Sequence, residues 1–452
     1  MKMKKLPYVL ALTFLSSCAS MSHSGSGEVK SMSVIPLVGT FKVHRYSLDN
    51  GLKLLVVEDH SSPTFAYETW YGVGSRNEVK GRTGLAHLFE HLMFKGTTRH
   101  PEGELDKIMD SAGAEGQNAF TTHNYTAYVQ ELPSDKLDLI AGLESDRMVN
   151  LIVNEKSFRT ELDVVQNERR FRNENNPDGL MYQDIFDTAF KQHPYHWPVI
   201  GYQEDLNRMS AEDARAFYKD YYSPNHATVV VVGDVAPDKV LHLIEKYYGT
   251  IPAQNVPAHE IPIEPAQKNP QFKTLKLNIQ VQKLLLGYHI PGVEAADVPA
   301  INVLQSILTG GKSSRLYLSL VNRGIATSVD AYDIDDKDPS LFILTTSLQK
   351  GKTAHQAENV ILSEIKKLKT KFVSDQELER ARNRLNFNFL EGLSTNNEKA
   401  QFLGRYETLE GAFEKGVHTQ DLIQKVTAAQ IQAVVKTYFK PGNRTVIVGV
   451  AK

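Results

Sequence analysis

Residues 84–97 read GLAHLFEHLMFKGT, and in them His87, Glu90 and His91 interrupt a run of Leu, Phe and Met. A plain apolar core has little use for three polar side chains so close together. On a helix, residues four apart lie about 40° and residues three apart about 60° around the axis, so all three share one arc. His87 and His91 can then offer imidazole nitrogens to one ion from successive turns, which suits zinc. Glu90 leans over the same arc without having to be a ligand. There it can take a proton from a water whose pKa a metal lowers from about 15.7 toward 7. With 15 histidines in 452 residues, composition predicts roughly 0.03 chance matches to this pattern. The trio points to a metal site with a proton acceptor beside it.

The surrounding pattern supplies elements to hold it. VHRYSLDNGLKLLVVED (43–59) reads as a hairpin turning at Asp49-Asn50-Gly51, and FAYETWYGVGS (65–75) as a further strand. Helical spacing covers 84–94, 104–112, 135–150, 154–173 and 211–221, while Thr228–Val232 is a β-branched run expected of a buried strand. SAEDARAFYKDYYSPNHATVVVVG (210–233) aligns without gaps on TAAQIQAVVKTYFKPGNRTVIVGV (427–450), at an offset of 217. An internal duplication follows. The same offset carries His87, Glu90 and His91 onto Leu304, Ile307 and Leu308, so the second copy keeps an apolar helix without the polar trio. Between the copies, 251–270 holds five prolines and reads as a semi-rigid linker.

At 452 residues the chain is too long for one hydrophobic core, and 41% apolar with 23% charged residues describes an ordinary globular protein. A net charge of −2 gives no basic footprint for nucleic acid. Residues 1–17 carry Lys2, Lys4 and Lys5 ahead of a short apolar run, which reads as an export signal rather than a membrane span. Leu15-Ser16-Ser17-Cys18 resembles a bacterial lipobox, which implies cleavage before Cys18 and its lipidation; an incidental thiol in a discarded peptide is the other reading. Ala19 follows where an aspartate would resemble inner-membrane retention, so the expectation is a lipid-anchored, periplasm-facing protein, on the outer membrane in preference to the inner. Cys18 is the single cysteine, so no disulfide is expected. Residues 18–37 are expected to be a tether, 38–250 the metal-binding domain and 271–452 its copy.

The HLFEH segment resembles the H-x-x-E-H helix of the pitrilysin/insulinase family of inverzincins, and the likeness extends over nearly the whole mature chain. In size the chain is similar to the short bacterial members and to mitochondrial processing peptidase subunits. The resemblance implies an α+β fold of two homologous α/β-roll domains, largely antiparallel sheets packed with helices, and a zinc endopeptidase activity. It implies one Zn²⁺ per chain held by His87, His91 and a later glutamate, here Glu168, 77 residues beyond His91 in FRTELDVVQNERRFRNENNPDG. Read alone, Glu168 sits among Arg169, Arg170, Arg172 and Glu174 and could belong to a hydrated face. Glu161, two turns earlier, matches the family's glutamate that orients a ligand histidine. Glu90 becomes the general base. Asn118-Ala119-Phe120-Thr121 resembles the family's edge strand, which pairs backbone to backbone with an extended peptide.

One departure stands out. Single-chain and self-pairing members of the family usually carry an arginine and a tyrosine seven residues apart in the second half, which bind the substrate carbonyl. Here Leu320 and Thr327 occupy those positions, and Arg315 and Arg323 do not restore the pair. The expectation is a homologous partner subunit bringing the missing pair across a closed chamber. A non-catalytic peptide-binding or assembly subunit is the alternative. His193 and His196 fit either a chamber lining or a structural role.

Overall fold

The computed structural model describes residues 29–258 and 260–452. The signal segment and Cys18 lie outside them. The first lobe runs β1 (Val29–Pro36), β2 (Lys42–Leu48), β3 (Lys53–Glu58) and β4 (Thr64–Tyr71), then α1 (Leu85–Leu92) and α2 (Glu104–Ser111). The hairpin β5 (Glu115–Thr121) and β6 (Thr126–Pro133) precedes α3 (Leu137–Asn150), α4 (Glu155–Arg169) and α5 (Pro177–Ala189). A short α6 (Gln203–Leu206), α7 (Ala211–Tyr221), β7 (Ala227–Gly233) and α8 (Pro237–Tyr248) close the lobe. The second lobe holds β8 (Gln271–Leu277), β9 (Lys283–Ile290), α9 (Val298–Thr309), β10 (Ala326–Asp333) and β11 (Ser340–Leu348). It ends with α10 (Ala354–Thr370), α11 (Asp375–Glu391), α12 (Asn396–Glu410), α13 (Glu414–Ile423), α14 (Ala428–Tyr438) and β12 (Arg444–Ala451).

The two sheets repeat one plan. The first has the order β1-β2-β3-β7-β4-β6-β5 and the second β10-β11-β9-β12-β8. Read from β8, the second sheet matches the first from β3 onward, including the single parallel neighbour, β3 with β7 and β8 with β12. The other ladders are antiparallel, so the fold is α+β. The run ATVVVVG is buried at all seven positions because β7 lies inside its sheet with cover on both faces.

One expectation is corrected. Residues 29–36 are not tether: β1 pairs antiparallel with β2 along the sheet edge, Met32 opposite Tyr46 and Val34 opposite His44. The two halves also exchange helices. The outer face of the first sheet, with Val57, Trp70 and Val230, is covered by Ala400 and Leu403 of α12. The outer face of the second, with Leu285, Ile343 and Ile447, is covered by Met181, Ile185 and Ala189 of α5. Each lobe lends the other a helix at equivalent places in the repeat. The approach is close: a Cβ on Gly404 would lie 2.1 Å from Trp70 Nε1, so only glycine fits there.

A second tie joins the lobes beside the β5–β6 turn. Asp336, in the loop between β10 and β11, accepts from Asn124 Nδ2 at 2.6 Å and meets His123 Nδ1 at 3.0 Å. Asp338 of the same loop meets His193 Nε2 at 3.1 Å and pairs with Arg76. Burial works against ionising Asp338, but His193 and Arg76 outweigh it and hold the carboxyl at about 2. A depressed carboxyl contributes stability above its usual value of 3.8 and loses it as pH falls through 2. Asp338→Asn is therefore expected to be less stable at neutral pH and to lose less on acidification, as read from urea midpoints from about pH 5 downward. Parallel acid limbs in the two proteins would contradict this.

Candidate metal centre

Helix α1 begins where the chain has to turn sharply. Gly84 caps it at φ 90°, and a Cβ there would sit 2.5 Å from Ile200 O. The first turn's open amides are taken by a buried carboxylate: Glu78 accepts from Gly84 N at 2.9 Å and Ala86 N at 2.8 Å. Leu85, Ala86, Leu88, Phe89 and Leu92 are buried. Phe89 stacks on Tyr218 with centroids 5.3 Å apart and meets Tyr222 at 4.4 Å, which fixes how the helix is rolled about its axis. With that face locked inward, His87 and His91 turn toward α4 and Glu90 toward β5.

Helix α4 starts at a capping box, Asn154 Oδ1 accepting from Ser157 N at 2.9 Å. Phe158, Glu161, Leu162 and Val165 form its buried stripe, and Glu168 continues that stripe two turns beyond Glu161. The packing of α4 on α1 brings the distant carboxylate to the imidazoles. One ligand atom from each of His87, His91 and Glu168 lies within 4.8 Å of the other two. Glu168 Oε2 is 3.3 Å from His91 Nε2 and 3.8 Å from His87 Nε2. Glu161 Oε2 lies 3.4 Å from His91 Nδ1, and its other oxygen accepts from Lys95 at 2.6 Å.

His87 is 8% exposed and makes no hydrogen bond to any described residue; its Nδ1 is buried without a partner, and Nε2 stands too far from Glu168. A buried imidazole left so bare is costly unless something binds it. Two imidazole nitrogens, one carboxylate oxygen and a carboxylate steering the far nitrogen of His91 together make a donor set that fits zinc. Burial, and then the charge of His91, push His87 down to about 4. Burial opposes the charged form of His91 too, but its contacts with Glu161 and Glu168 prevail and raise it to about 9.

The remaining expected residues fall as follows. Glu90 borders His87, His91 and Glu168 and accepts from Thr121 Oγ1 at 2.6 Å. Burial raises its carboxyl above the ordinary range, against the Thr121 hydrogen bond. Asn118, Ala119, Phe120 and Thr121 lie on β5, which is bonded to β6 on one side only and is the sheet's edge. Leu320 is buried in the second core, and Thr327 donates to Ser347 O, so neither provides the donor missing from the family pattern. His193 ties the lobes together through Asp338, and His196 Nδ1 meets Phe190 O at 3.0 Å. Both are structural. Sequence reasoning missed Glu78, Lys95, the contact of Thr121 with Glu90, and Arg172, whose Nε lies 3.0 Å from Glu168 Oε1. For Arg172 the i,i+4 spacing from Glu168 was the available signal.

Fold and site together define a two-lobed α+β scaffold in which, among the described residues, the one candidate metal-ligand cluster lies in the first lobe. Residues 53–202 match the family model described as insulinase (peptidase family M16), and residues 208–385 match the peptidase M16 inactive domain. The chain belongs to this family. It is 30% identical over 408 residues to the zinc protease PqqE of Helicobacter pylori, covering 89% of this chain and 91% of that protein. A crystal structure of a protease from Helicobacter pylori superposes with a TM-score of 0.85 at 29% identity, covering 91% of this chain and all of that one. The periplasmic protease PqqL from Escherichia coli shares the fold at TM-score 0.75 and 17% identity; 93% of this chain covers 48% of it.

Outer partners of a ligand typically change metal affinity by roughly 10- to 100-fold. Glu161→Gln is expected to weaken zinc binding by that amount in chelator competition, with Glu90→Gln remaining close to wild type. Equal affinities for Glu161→Gln and wild type would contradict the role given to Glu161.

Proposed function

We propose that the chain is a zinc endopeptidase acting on extended peptides or small unfolded polypeptides. The observation that carries this reading is the buried, otherwise unpartnered His87 facing His91 and Glu168, with Glu90 alongside. His87, His91 and Glu168 would hold a zinc ion, which when bound would supply Lewis acidity toward the scissile carbonyl and the attacking water. The chain's own residues do the rest. Glu90 takes a proton from the attacking water and returns it to the leaving amide nitrogen. Thr121 holds Glu90 by its hydroxyl, so the base is fixed by the strand that also receives substrate. The open edge of β5 supplies backbone groups to an extended peptide, which favours unfolded segments over folded proteins.

A homologous partner subunit is the natural source of the arginine and tyrosine that Leu320 and Thr327 do not provide. The likeness to half of a longer chain, PqqL, supports a paired arrangement. Attachment to the bacterial envelope through Cys18, facing the periplasm, completes the reading.

Glu90→Gln is expected to lower kcat/KM by roughly 10²- to 10⁴-fold with zinc retained; activity surviving in that variant would refute the base assignment. The isolated wild-type chain is expected to turn over fluorogenic peptides poorly until the partner is added. Full activity of the chain alone would remove the partner from the account.

A further inference from the structure

Directly after Glu168 the helix widens into a π-turn, Arg170–Glu174, closed by Asn175 N donating to Arg170 O at 2.8 Å. Such turns occur often at functional sites. Arg172 follows Glu168 by four residues, and the Glu168 carboxylate is divided between the imidazoles and this guanidinium. Oε2 of Glu168 faces the imidazoles, while Oε1 faces Arg172 Nε at 3.0 Å. The rest of the guanidinium is unspent: it makes no hydrogen bond to a described residue, and the Arg172 side chain is 70% exposed. Lys95, another cation by the site, is spent on Glu161 and Glu102. The backbone that carries Arg172 is clamped, since a Cβ on Gly179 would lie 2.0 Å from Arg172 O. Beside it Phe171 stands 77% exposed.

We propose that Arg172 is a substrate-binding residue that recognises a carboxylate on the peptide, beside the candidate metal centre of α1 and α4. A planar fork with free Nη nitrogens fits a carboxylate with two parallel hydrogen bonds. When the negative charge of Glu168 is shared with a bound cation, the guanidinium charge is free for the incoming group. Phe171 offers an apolar platform next to the fork. The carboxylate comes from an acidic side chain near the scissile bond or from the peptide's free C-terminus. This inference rests on the peptidase reading of the site, but its test does not require turnover.

The test uses the zinc-loaded full chain carrying Glu90→Gln, with fluorescent peptides of one sequence series read by anisotropy. One arm replaces Glu by Gln at each position; the other replaces the free C-terminus by an amide. One arm is expected to show at least about tenfold weaker binding on loss of the carboxylate, and that arm names its source. Adding Arg172→Glu is expected to abolish the preference and favour a Lys-bearing peptide, while Arg172→Lys keeps part of it. Zinc affinity, measured in parallel, is expected to stay within about threefold throughout. Equal binding in both arms, no peptide binding at all, or an unchanged preference in Arg172→Glu would overturn the proposal. So would a collapse of zinc affinity in every Arg172 variant, which would leave Arg172 only the task of holding Glu168. If the preference is found but the chain with Glu90 intact hydrolyses nothing, the peptidase reading fails and carboxylate recognition stands.

Discussion

The contact between α1 and α4 is the constraint on which the site depends. It places one carboxylate against two imidazoles and leaves His87 buried with no hydrogen bond to any described residue. Such a group is expensive, and the surroundings spend considerable structure to keep it in place. Glu78 takes the amides that open α1, Phe89 wedges that helix against Tyr218 and Tyr222, and Lys95 steadies Glu161 behind His91. Each of these groups orients another rather than touching a substrate. Together they hold the ligand nitrogens in a geometry that no local preference of α1 would impose.

The duplicated lobe provides an internal control. Its helix α9 stands where α1 stands, and Leu304, Ile307 and Leu308 are buried in an ordinary core. The fold therefore has no need of histidines or a glutamate at those positions. What the second lobe contributes lies elsewhere: α12 covers the outer face of the first sheet, and the loop carrying Asp336 and Asp338 secures the β5–β6 turn. The edge strand and the trio beside it are thus braced from both halves of the chain. Loss of either lobe would leave the other with an uncovered sheet face.

The trio was legible because its three members sit three and four residues apart, a local pattern that survives without knowledge of the fold. The repeat was legible because α7 with β7 and α14 with β12 keep their spacing and their Tyr, Pro and Thr positions. Glu168 was legible only through family resemblance; 77 residues of chain separate it from His91, and its arginine-rich neighbourhood looks like a solvated face. Glu78, Lys95 and the pairing of Thr121 with Glu90 depend on packing between elements, for which a single sequence carries little signal. The exchange of α5 and α12 was hidden for the same reason. Strand β1 is not legible in the sequence because an edge strand with Met32 and Val34 exposed buries too little to show a clear alternation.

The central claim is that His87, His91 and Glu168 close around one zinc ion. X-ray absorption spectroscopy of the zinc-loaded chain tests it most directly. The account predicts one zinc per chain with two imidazole nitrogens at about 2.0–2.1 Å and carboxylate oxygen at about 2.0–2.2 Å, and loss of an imidazole shell in His87→Ala. A spectrum without imidazole, or one unchanged by that substitution, would contradict it.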